Sequence, residues 1–512
     1  MRRPPRPLAE RRPRRAQINA EQLASLSHEF RTPLNGVLGM ARLLEGTRLT
    51  AEQRAYATAL RDCGEHLLTL VNDVLDFAKL GAGKVELHPG DVDIENTLRA
   101  VCELLSPKAR EKGLEIAWAA PGDVGTVRAD EGRLRQILLN FAGNAVKFTA
   151  DGGVLIGVAA AGRDRLRFTV DDTGPGVSVV QRERIFEAFA QADPAHADLG
   201  GAGLGLAIAR RLALAMDGEV GVEDRPQGGA RFWFEAAFRA APGERPAAAL
   251  AGRKIYVASG NPIIREAASR QIEASGGQAV AVCDVADLVR STGQGDVALV
   301  DHALAKPPRL LRPPVGRQAI VLLAPEERAL IGRYRRAGFA GYLIKPLRRA
   351  SLCERALIAA GAAPAHPASG EDERIATTTG RGKHILLVED NPINALLARA
   401  LLGREGCDVD HVVRGLDAIA AVKVGTYDLI LMDMRMPGLS GEETARALRD
   451  AGIETPIVAL TANAFEDDRH ACLAAGMNDF LVKPMSPDAL RAMLTRWIGP
   501  NWTQSARRAK VG

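Results

Sequence analysis

The chain has 512 residues, more than one hydrophobic core supports, so its length predicts several domains. Hydrophobic residues make up 46% of it and aromatic residues only 4%, which is typical of globular domains with aliphatic cores. Because 67 basic residues nearly balance 62 acidic ones, the net charge of +5 gives no argument for binding to nucleic acid or to a membrane surface.

The cysteines and the hydropathy pattern bear on the cellular compartment. Six cysteines are scattered without a C-x-x-C pair, as is typical of proteins in a reducing environment. We find no apolar run of the roughly 18–20 residues that a membrane-spanning helix needs, and no signal peptide after the basic N-terminus. We therefore expect a cytoplasmic protein with no membrane span and no input domain before its first helix.

The N-terminal region combines a basic tail with a helix that carries a histidine. Residues 1–17, rich in arginine and proline, are predicted to be disordered. Beyond them, helical spacing predicts one apolar stripe, made of Leu23, Leu26, Phe30, Leu34 and Val37. His28 lies roughly opposite this stripe and is predicted to face solvent. Glu29 can accept a proton from one ring nitrogen while the other attacks phosphorus, and Thr32, one turn on, can orient water.

An exposed helical histidine taken alone is usually only a solvated side chain. The full string from Ser27 to Gly36, SHEFRTPLNG, resembles the phosphoacceptor box of bacterial sensor histidine kinases. This resemblance implies that His28 receives a phosphoryl group from ATP. The rest of the chain must then supply an ATP site.

A second helix is predicted to complete a helical hairpin over residues 18–82. Thr50 and Gln53 form a capping-box signal at its start. Two interlaced heptad rows follow, Leu60, Leu67 and Val74 in one and Tyr56, Cys63, Leu70 and Phe77 in the other. Because a single hairpin cannot bury so wide a stripe, we predict that two chains pair into an all-α four-helix bundle and that the protein is a homodimer.

Residues 88–239 alternate helical and strand patterns, and their first informative piece is a helix. Asn140, Asn144 and Lys147 fall on one face of the predicted helix. They offer two amide oxygens to a magnesium ion and a cation to phosphate oxygens. Two asparagines alone are weak evidence for such a site.

Two glycine-containing pieces follow in the same segment. Asp172 comes after a strand-like run and can accept a hydrogen bond from an exocyclic amine, while its neighbours Gly174 and Gly176 let the backbone approach a ligand. A second glycine run opens a helical pattern and directs amide groups at phosphates; its members are Gly201, Gly203, Gly205 and Leu206. A dinucleotide-binding fold is disfavoured, because the βαβ context expected before such a run is missing.

In this order the pieces resemble the N, G1 and G2 boxes of the ATP-binding domain shared by histidine kinases, gyrase and Hsp90, with Phe186 in the F box. The resemblance implies an α/β sandwich in which Asp172 binds adenine and Asn144 holds magnesium. It also implies that residues 191–200 form a lid. Gyrase-like and chaperone relatives lack a phosphoacceptor box, so His28 favours a histidine kinase.

The chain then repeats itself in two segments, residues 252–361 and 383–500. Aliphatic strands alternate with helical patterns in both, and each first strand is followed by an Asn-Pro pair, at Asn261 and at Asn391. Each segment is therefore predicted to form a flavodoxin-like (βα)5 domain with a doubly wound parallel sheet. A linker at 362–382 separates them, and a basic tail at 501–512 ends the chain.

The second copy carries a complete set of reactive side chains at its predicted strand ends: Glu389, Asp390, Asp433, Thr461 and Lys483. Strand ends converge at one crevice in such a sheet. Three carboxylates there can hold magnesium, Asp433 can attack a phosphoryl group, and Thr461 and Lys483 can stabilise the transferred oxygens. These residues resemble the response-regulator receiver, with Phe480 in the place of its switch aromatic.

The first copy departs from that set. Ser259 and Gly260 stand in the places of the acidic pair, and Ala324 replaces the threonine. Asp301 and Lys345 remain. Without the acidic pair a magnesium ion loses most of its charged ligands, so this copy is predicted to be a pseudo-receiver.

The last third of the pseudo-receiver is basic and has two open interpretations. It is either a solvated or docking face, which we favour slightly, or a binding site for an anionic guanine nucleotide such as cyclic di-GMP. The residues predicted for the second case are Arg328, Tyr342, Ile344, Pro346 and Arg348. In the second case the chain is similar to soluble hybrid kinases whose activity this messenger controls. In the linker, Asp372, Glu373 and Arg374 are predicted to dock on the basic face until the ligand displaces them.

The resemblance as a whole implies a hybrid histidine kinase with ATP and Mg2+ as cofactors. The phosphoryl group is expected to pass from His28 to Asp433, then to a histidine phosphotransfer protein and a separate response regulator. Two alternatives stay open: a net phosphatase or phosphate sink that uses Thr32 and the second receiver, and a catalytically silent scaffold that binds nucleotide.

Overall fold

The structure is a computed structural model that describes residues 33–498, except 35, 42–43, 46, 82–86, 163, 191–202, 242–247, 292, 294–295, 306–309, 314–317, 363–381, 462–471, 484 and 486. The described chain separates into two compact units. One contains residues from 72 to 362, and the other contains residues 33–71 and those from 382 onward. Each is described by itself.

The α-helices, numbered along the chain, are α1 (Ala51–Gly81), α2 (Ile94–Glu111), α3 (Glu131–Phe148), α4 (Gly205–Ala215), α5 (Pro262–Ala274), α6 (Val285–Ser291), α7 (Ile331–Arg336), α8 (Arg349–Ala359), α9 (Pro392–Arg404), α10 (Gly415–Val424), α11 (Gly441–Asp450) and α12 (Pro487–Ile498). Residues 33–45, apart from the exceptions given above, are also helical. Among the described residues, no helix is both long enough and apolar enough to cross a bilayer.

The strands are β1 (Gly90–Asp93), β2 (Glu115–Ala119), β3 (Thr126–Ala129), β4 (Gly153–Ala160), β5 (Arg165–Asp172), β6 (Glu219–Asp224), β7 (Ala230–Ala237), β8 (Arg239–Ala240), β9 (Lys254–Ala258), β10 (Gln278–Val282), β11 (Val297–Asp301), β12 (Gln318–Leu323), β13 (Gly341–Ile344), β14 (His384–Val388), β15 (Asp408–Val412), β16 (Leu429–Asp433), β17 (Ile457–Thr461) and β18 (Asp479–Val482).

Helix α1 begins with the capping box that the sequence predicts. The Thr50 amide donates to Gln53 Oε1 at 3.0 Å, and the Gln53 amide donates back to Thr50 Oγ1 at 3.2 Å. One heptad row of this helix is uncovered in the single chain, with Leu60 54%, Leu67 49% and Val74 49% exposed. An apolar row of this kind on a regular helix is typical of a helix that packs against a partner.

The segment after α1 forms an α/β sandwich, as predicted. Its five-stranded sheet has the order β2-β4-β5-β7-β6, in which only the β2–β4 pair is parallel. Apolar side chains of α2, α3 and α4 pack on one face of this sheet. Asp93 and Asp130 cap α2 and α3 by accepting backbone amides, which fixes where these helices begin.

The two repeats each form a parallel five-stranded sheet, and this confirms the predicted (βα)5 folds. The strand orders are β10-β9-β11-β12-β13 and β15-β14-β16-β17-β18. Every pair in both sheets is parallel. The carboxyl ends of β9, β11 and β13 meet at one edge of the first sheet, as do those of β14, β16 and β18 in the second.

The sandwich and the first (βα)5 domain share a buried core. Strand β2 is covered on both faces, because Ile116 and Trp118 point to the sandwich helices while Ala117 and Ala119 pack with apolar residues of α5. Two alanines leave room for a helix to approach the sheet. Gln271 of α5 strengthens this contact, since its Nε2 donates to the Trp118 carbonyl oxygen at 2.8 Å.

Candidate functional site

Several predicted site residues lie outside the described part of the chain. They are His28, Glu29, Thr32, Gly201, Asp372, Glu373 and Arg374, together with the predicted lid at 191–200. Their roles stay predictions.

The candidate nucleotide site at the end of β5 is built around a buried carboxylate. Asp172 is 6% exposed, and its Oδ1 accepts from the Gly174 amide at 2.8 Å and the Ala230 amide at 3.1 Å. Burial raises the pKa of Asp172 above its ordinary value, although the two amides and Arg225 act in the opposite direction. Gly229 has φ +100°, and a Cβ there would lie 2.0 Å from the Asp172 carbonyl oxygen. Only glycine allows these two segments to approach so closely.

Thr149, which the sequence interpretation missed, belongs to the same site. Its hydroxyl is buried and has no hydrogen-bond partner among the described residues. Gly174 lies next to it, since a Cβ there would come within 3.0 Å of Asp172 Oδ1 and 3.2 Å of Thr149 Oγ1. An unpaired buried hydroxyl beside a carboxylate suits a polar ligand. The only sequence signal was its position directly after the helix that carries the two asparagines.

Helix α3 presents the predicted amides. The Asn140 amide nitrogen is buried without a hydrogen-bond partner among the described residues, and its Oδ1 lies 3.4 Å from the place of a Cβ at Gly205, the first residue of α4. Asn144 and Lys147 are half-buried. Burial, followed by Lys108 and Lys112, lowers the pKa of Lys147. An unsatisfied amide beside a helix N-terminus fits a phosphate, and amide oxygens fit magnesium.

The glycines and the predicted F-box residue pack around the start of α4. Gly203 has φ +66°, and a Cβ there would lie 2.7 Å from the Ala190 carbonyl oxygen. Gly176 has φ +80°, a backbone conformation that favours glycine, and a Cβ there would lie 3.4 Å from the Gly229 carbonyl oxygen. Phe186 is 6% exposed in the sandwich core, and Leu206 packs against that core. The structure thus brings the described members of the three boxes to one end of the sandwich.

The second (βα)5 domain gathers its acidic residues as predicted. Carboxylate oxygens of Glu389, Asp390 and Asp433 lie within 4.8 Å of one another. Lys483 Nζ lies 2.6 Å from Glu389 Oε2 and 2.7 Å from Asp433 Oδ2. Burial raises the pKa of Glu389, while Lys483 opposes this. Thr461 ends β17, and its carbonyl oxygen accepts the Lys483 amide at 2.7 Å. Three carboxylates with hard oxygen donors are a set that fits Mg2+.

The first (βα)5 domain uses the corresponding positions for structure. Ser259 Oγ donates to Asp301 Oδ2 at 2.6 Å, and Asp301 is fully buried. Lys345 lies 3.3 Å from Asp301 and also pairs with Glu115 of the sandwich. Within the described ranges, the acidic cluster of the second domain is the only group of metal-ligating side chains of its kind. The loss of phosphoryl chemistry in the pseudo-receiver stays a prediction.

The basic face of the pseudo-receiver is partly occupied by the sandwich. Arg348 Nε donates to Glu103 Oε1 at 3.0 Å, and Arg349 pairs with Glu95 at 3.4 Å. Tyr342 is 2% exposed, and the Arg355 guanidinium lies 4.3 Å from its ring centre, so neither ring face is open for stacking. Of the other predicted ligand residues, Arg328 is exposed, Pro346 half-buried and Ile344 buried. Arg348 therefore serves as a docking residue in this arrangement.

Three family profiles match the chain. The His Kinase A phosphoacceptor domain matches residues 18–83, the histidine kinase-, DNA gyrase B- and HSP90-like ATPase matches 129–240, and the response regulator receiver domain matches 385–495. The sensor histidine kinase GacS of Pseudomonas protegens is 32% identical over 94% of this chain. The chain spans 55% of the length of that relative.

Two solved structures are also similar. Full-length ShkA in complex with AMPPNP is 59% identical, with a TM-score of 0.64 over 94% of this chain and 99% of that one. The first receiver of ShkA in complex with cyclic di-GMP is 50% identical, with a TM-score of 0.21 over 22% of this chain and 95% of that one. A phosphoacceptor helix pair, an ATPase sandwich and receiver domains in one chain define a sensor kinase with its own receiver. This chain belongs to the hybrid histidine kinases.

Proposed function

We propose that this protein is an ATP-dependent protein-histidine kinase of a phosphorelay, which acts as a homodimer in the cytoplasm. The observation that carries the proposal is the site at Asp172, where two backbone amides hold a buried carboxylate next to the hydroxyl of Thr149, which has no partner among the described residues. A carboxylate fixed in this way can accept the exocyclic amine of adenine. The AMPPNP complex of the similar ShkA chain supports ATP as the nucleotide. The exposed heptad row of α1 supports the dimer, and the six free cysteines support a reducing compartment.

In the first step, a ring nitrogen of His28 bonds to the γ-phosphorus of ATP while the bond from that phosphorus to ADP breaks. Glu29 accepts the ring proton. Lys147, Asn140 and the start of α4 hold the phosphate oxygens, so that catalysis is mainly positioning and charge stabilisation.

In the second step, a carboxylate oxygen of Asp433 bonds to phosphorus while the bond to His28 breaks. Lys483, 2.7 Å from Asp433, stabilises the oxygens of the transferred group together with Thr461. A magnesium ion held by Glu389, Asp390 and Asp433 would neutralise further charge on those oxygens. The group then passes to a histidine phosphotransfer protein and a response regulator.

Radiolabelled ATP with magnesium tests this proposal on the full chain. We expect label on the wild type, none on His28→Ala, and label confined to histidine in Asp433→Asn. His88→Ala and Asp450→Asn, which change exposed residues of the same types, are expected to behave as the wild type. Bound ATP without any label would favour the scaffold. Loss of phosphate from a phosphorylated phosphotransfer protein, without label from ATP, would favour the phosphate sink.

We further propose that an anionic guanine nucleotide, with cyclic di-GMP as the candidate, gates the kinase at the pseudo-receiver. Arg348 supports this idea because it is already held by a carboxylate of the sandwich, Glu103. A phosphate that replaces Glu103 at Arg348 would loosen the pseudo-receiver from the ATPase domain. Arg328, exposed on the same domain, offers a second guanidinium. Tyr342 has to move from under Arg355 before it can stack.

Titration calorimetry with cyclic di-GMP on the full chain tests the gate. We expect Arg328→Ala and Arg348→Ala to weaken binding by about tenfold or more, since each removes a charge-assisted contact. Arg290→Ala, which changes a surface arginine on α6, should bind as the wild type does. An absence of binding to the wild type at micromolar concentration would leave only the docking role.

The remaining sequence-based predictions belong to the same proposal. In the resting state the basic face would be occupied by Asp372, Glu373 and Arg374. In that case, replacement of the two acidic residues by alanine should raise the basal transfer of label. The domain limits predicted from the sequence are 18–82, 88–239, 252–361 and 383–500.

A further inference from the structure

The pseudo-receiver contacts the ATPase domain at the two turns that flank Asp172. The first turn is residues 151–153, where the chain that follows α3 enters β4, and the second is residues 225–229, between β6 and β7. We call them the supporting turns. Both are bonded to the beginning of the pseudo-receiver. The first turn accepts a hydrogen bond from the Asn261 side chain, and the second donates one to the side chain of Glu266 in α5.

The first supporting turn is held by Asn261. Its Nδ2 donates to the Gly152 carbonyl oxygen at 2.9 Å. The same turn is tied to the residue after Asp172, because Thr173 Oγ1 donates to the Asp151 carbonyl oxygen at 2.6 Å and accepts the Gly153 amide at 2.9 Å. A shift of this turn therefore moves the backbone next to the carboxylate.

The second supporting turn is held by Glu266. Its Oε2 accepts from Arg225 Nη2 at 2.9 Å, and the Arg225 side chain is only 2% exposed. The Arg225 backbone closes the turn, since its carbonyl oxygen accepts the Gly228 amide at 2.9 Å and its amide donates to the Gly229 carbonyl oxygen at 3.2 Å. Ala230 directly follows this turn, and its amide donates to Asp172 Oδ1.

We infer that Asn261 and Glu266 of the pseudo-receiver are positioning residues for the nucleotide pocket and help to set its preference for adenine. This inference rests on the proposed ATP site. The turn that Asn261 holds positions the backbone next to Asp172, and the turn that Glu266 holds positions the Ala230 amide that donates to its carboxylate. A domain without phosphoryl chemistry of its own thereby contributes to the substrate specificity of its neighbour.

Loss of the Asn261 or Glu266 contact should change affinity according to the base of the nucleotide, and should not weaken all nucleotides alike. Adenine offers an exocyclic amine to Asp172, whereas guanine has a carbonyl oxygen at that place and gains nothing from a well-placed carboxylate. In the proposed site the phosphates are held by α3 and α4, whereas the two supporting turns flank Asp172. Loss of either contact should thus weaken adenine nucleotides and leave guanine nucleotides nearly unchanged.

Calorimetric titration of the full chain with AMPPNP and with GMPPNP, both with magnesium, tests the inference. Asn261→Asp keeps the oxygen that caps α5 by accepting the Ile263 amide at 2.9 Å, and replaces the donor to Gly152 by a charged oxygen that repels the Gly152 carbonyl oxygen. Glu266→Ala removes the partner of Arg225. We expect each to raise the Kd for AMPPNP about threefold or more, the size of one lost hydrogen bond, with a smaller change for GMPPNP. Glu273→Ala, an exposed glutamate on the same helix, should leave both constants unchanged.

Asp172→Asn in the same series distinguishes a failure of the positioning role from a failure of the proposed ATP site. If it loses the adenine preference while Asn261→Asp and Glu266→Ala retain the wild-type ratio of the two constants, the positioning role is wrong and the ATP site stands. If the wild type shows no adenine preference, or Asp172→Asn retains it, the proposed site and the inference fall together. An equal loss of affinity for both nucleotides in Asn261→Asp would also overturn the inference, because it would show a general disturbance of the domain.

Discussion

At the scale of single residues, Asp172 illustrates a conflict between stability and binding. Burial raises its pKa, so folding favours the protonated form. For a carboxyl group whose folded pKa lies above its unfolded value, the stabilising effect is fully present below about 3.9, the ordinary pKa of aspartate, and is lost as pH rises through the folded pKa. At neutral pH the charge therefore costs stability.

Asp172→Asn should accordingly be more stable than the wild type at pH 7, with a gain that disappears toward pH 3. An asparagine oxygen can still accept the Gly174 and Ala230 amides, so the backbone arrangement is kept. Urea unfolding of the full chain at several pH values measures the effect. Asp171→Asn is the control and should be less stable than the wild type. Asp171 accepts two hydrogen bonds from Arg231 at 2.7 Å each, and the substitution removes this ion pair. Equal destabilisation of both variants would contradict the expected gain.

Lys345 stands in the first (βα)5 domain at the place that Lys483 takes in the second. Burial alone would lower its pKa, but Asp301 and Glu115 raise it above the ordinary value. Lys345→Met should cost about 3–5 kcal/mol, since it leaves the buried Asp301 carboxylate without a cation. Denaturant unfolding checks this figure. Lys383→Met, which breaks a partly exposed pair with Asp428, should cost less than about 1 kcal/mol, and equal costs would show that burial of the pair is unimportant.

Sequence reasoning proposed candidate site residues where chemistry determines their type and spacing. Asp172, Asn140 and the acidic cluster were predictable in this way. Thr149 and Arg225 were not, because a lone threonine or arginine has many ordinary roles and its significance depends on neighbours distant in the chain. The same is true of Glu115, whose partner Lys345 belongs to another domain.

At the scale of elements, periodicity predicted most of the fold. Heptads predicted α1, and short aliphatic runs predicted the strands of both parallel sheets. Burial on both faces of β2 was not predictable, because alanines at 117 and 119 have no marked preference for a buried helix contact. Only the folded chain shows α5 lying against them.

The uncovered heptad row of α1 leads to a prediction about assembly. Substitution of Leu60 and Leu67 by serine should weaken the dimer by about 1.5–3 kcal/mol for each leucine removed from the seam. Sedimentation equilibrium of the full chain measures this change. Leu416→Ser alters a leucine of α10 that is 65% exposed and should leave the dimer constant unchanged. A dimer of wild-type strength in the double variant would place the interface elsewhere.

At the scale of the whole molecule, the ATPase domain and the pseudo-receiver share one core. Leu299 of β11 belongs to the same buried cluster as Ala117, Ala119 and Leu155 of the sandwich. The corresponding residue of the second receiver, Leu431 of β16, lies in a cluster whose members all come from residues 385–498. Unfolding of the first core should therefore reach the ATPase domain.

Leu299→Ala and Leu431→Ala form a matched pair, since both leucines are fully buried two positions before the aspartate of their domain. Each substitution should cost about 2–5 kcal/mol in its own core. In hydrogen exchange of the full chain, we expect Leu299→Ala to speed exchange in β2 and β4 of the ATPase domain, because local opening spreads through a shared core. Leu431→Ala should leave those strands unchanged. If Leu299→Ala also left them unchanged, the sandwich and the pseudo-receiver would be independent folding units, and a ligand on the second could influence the ATP site only through polar contacts such as those of Asn261, Glu266 and Arg348.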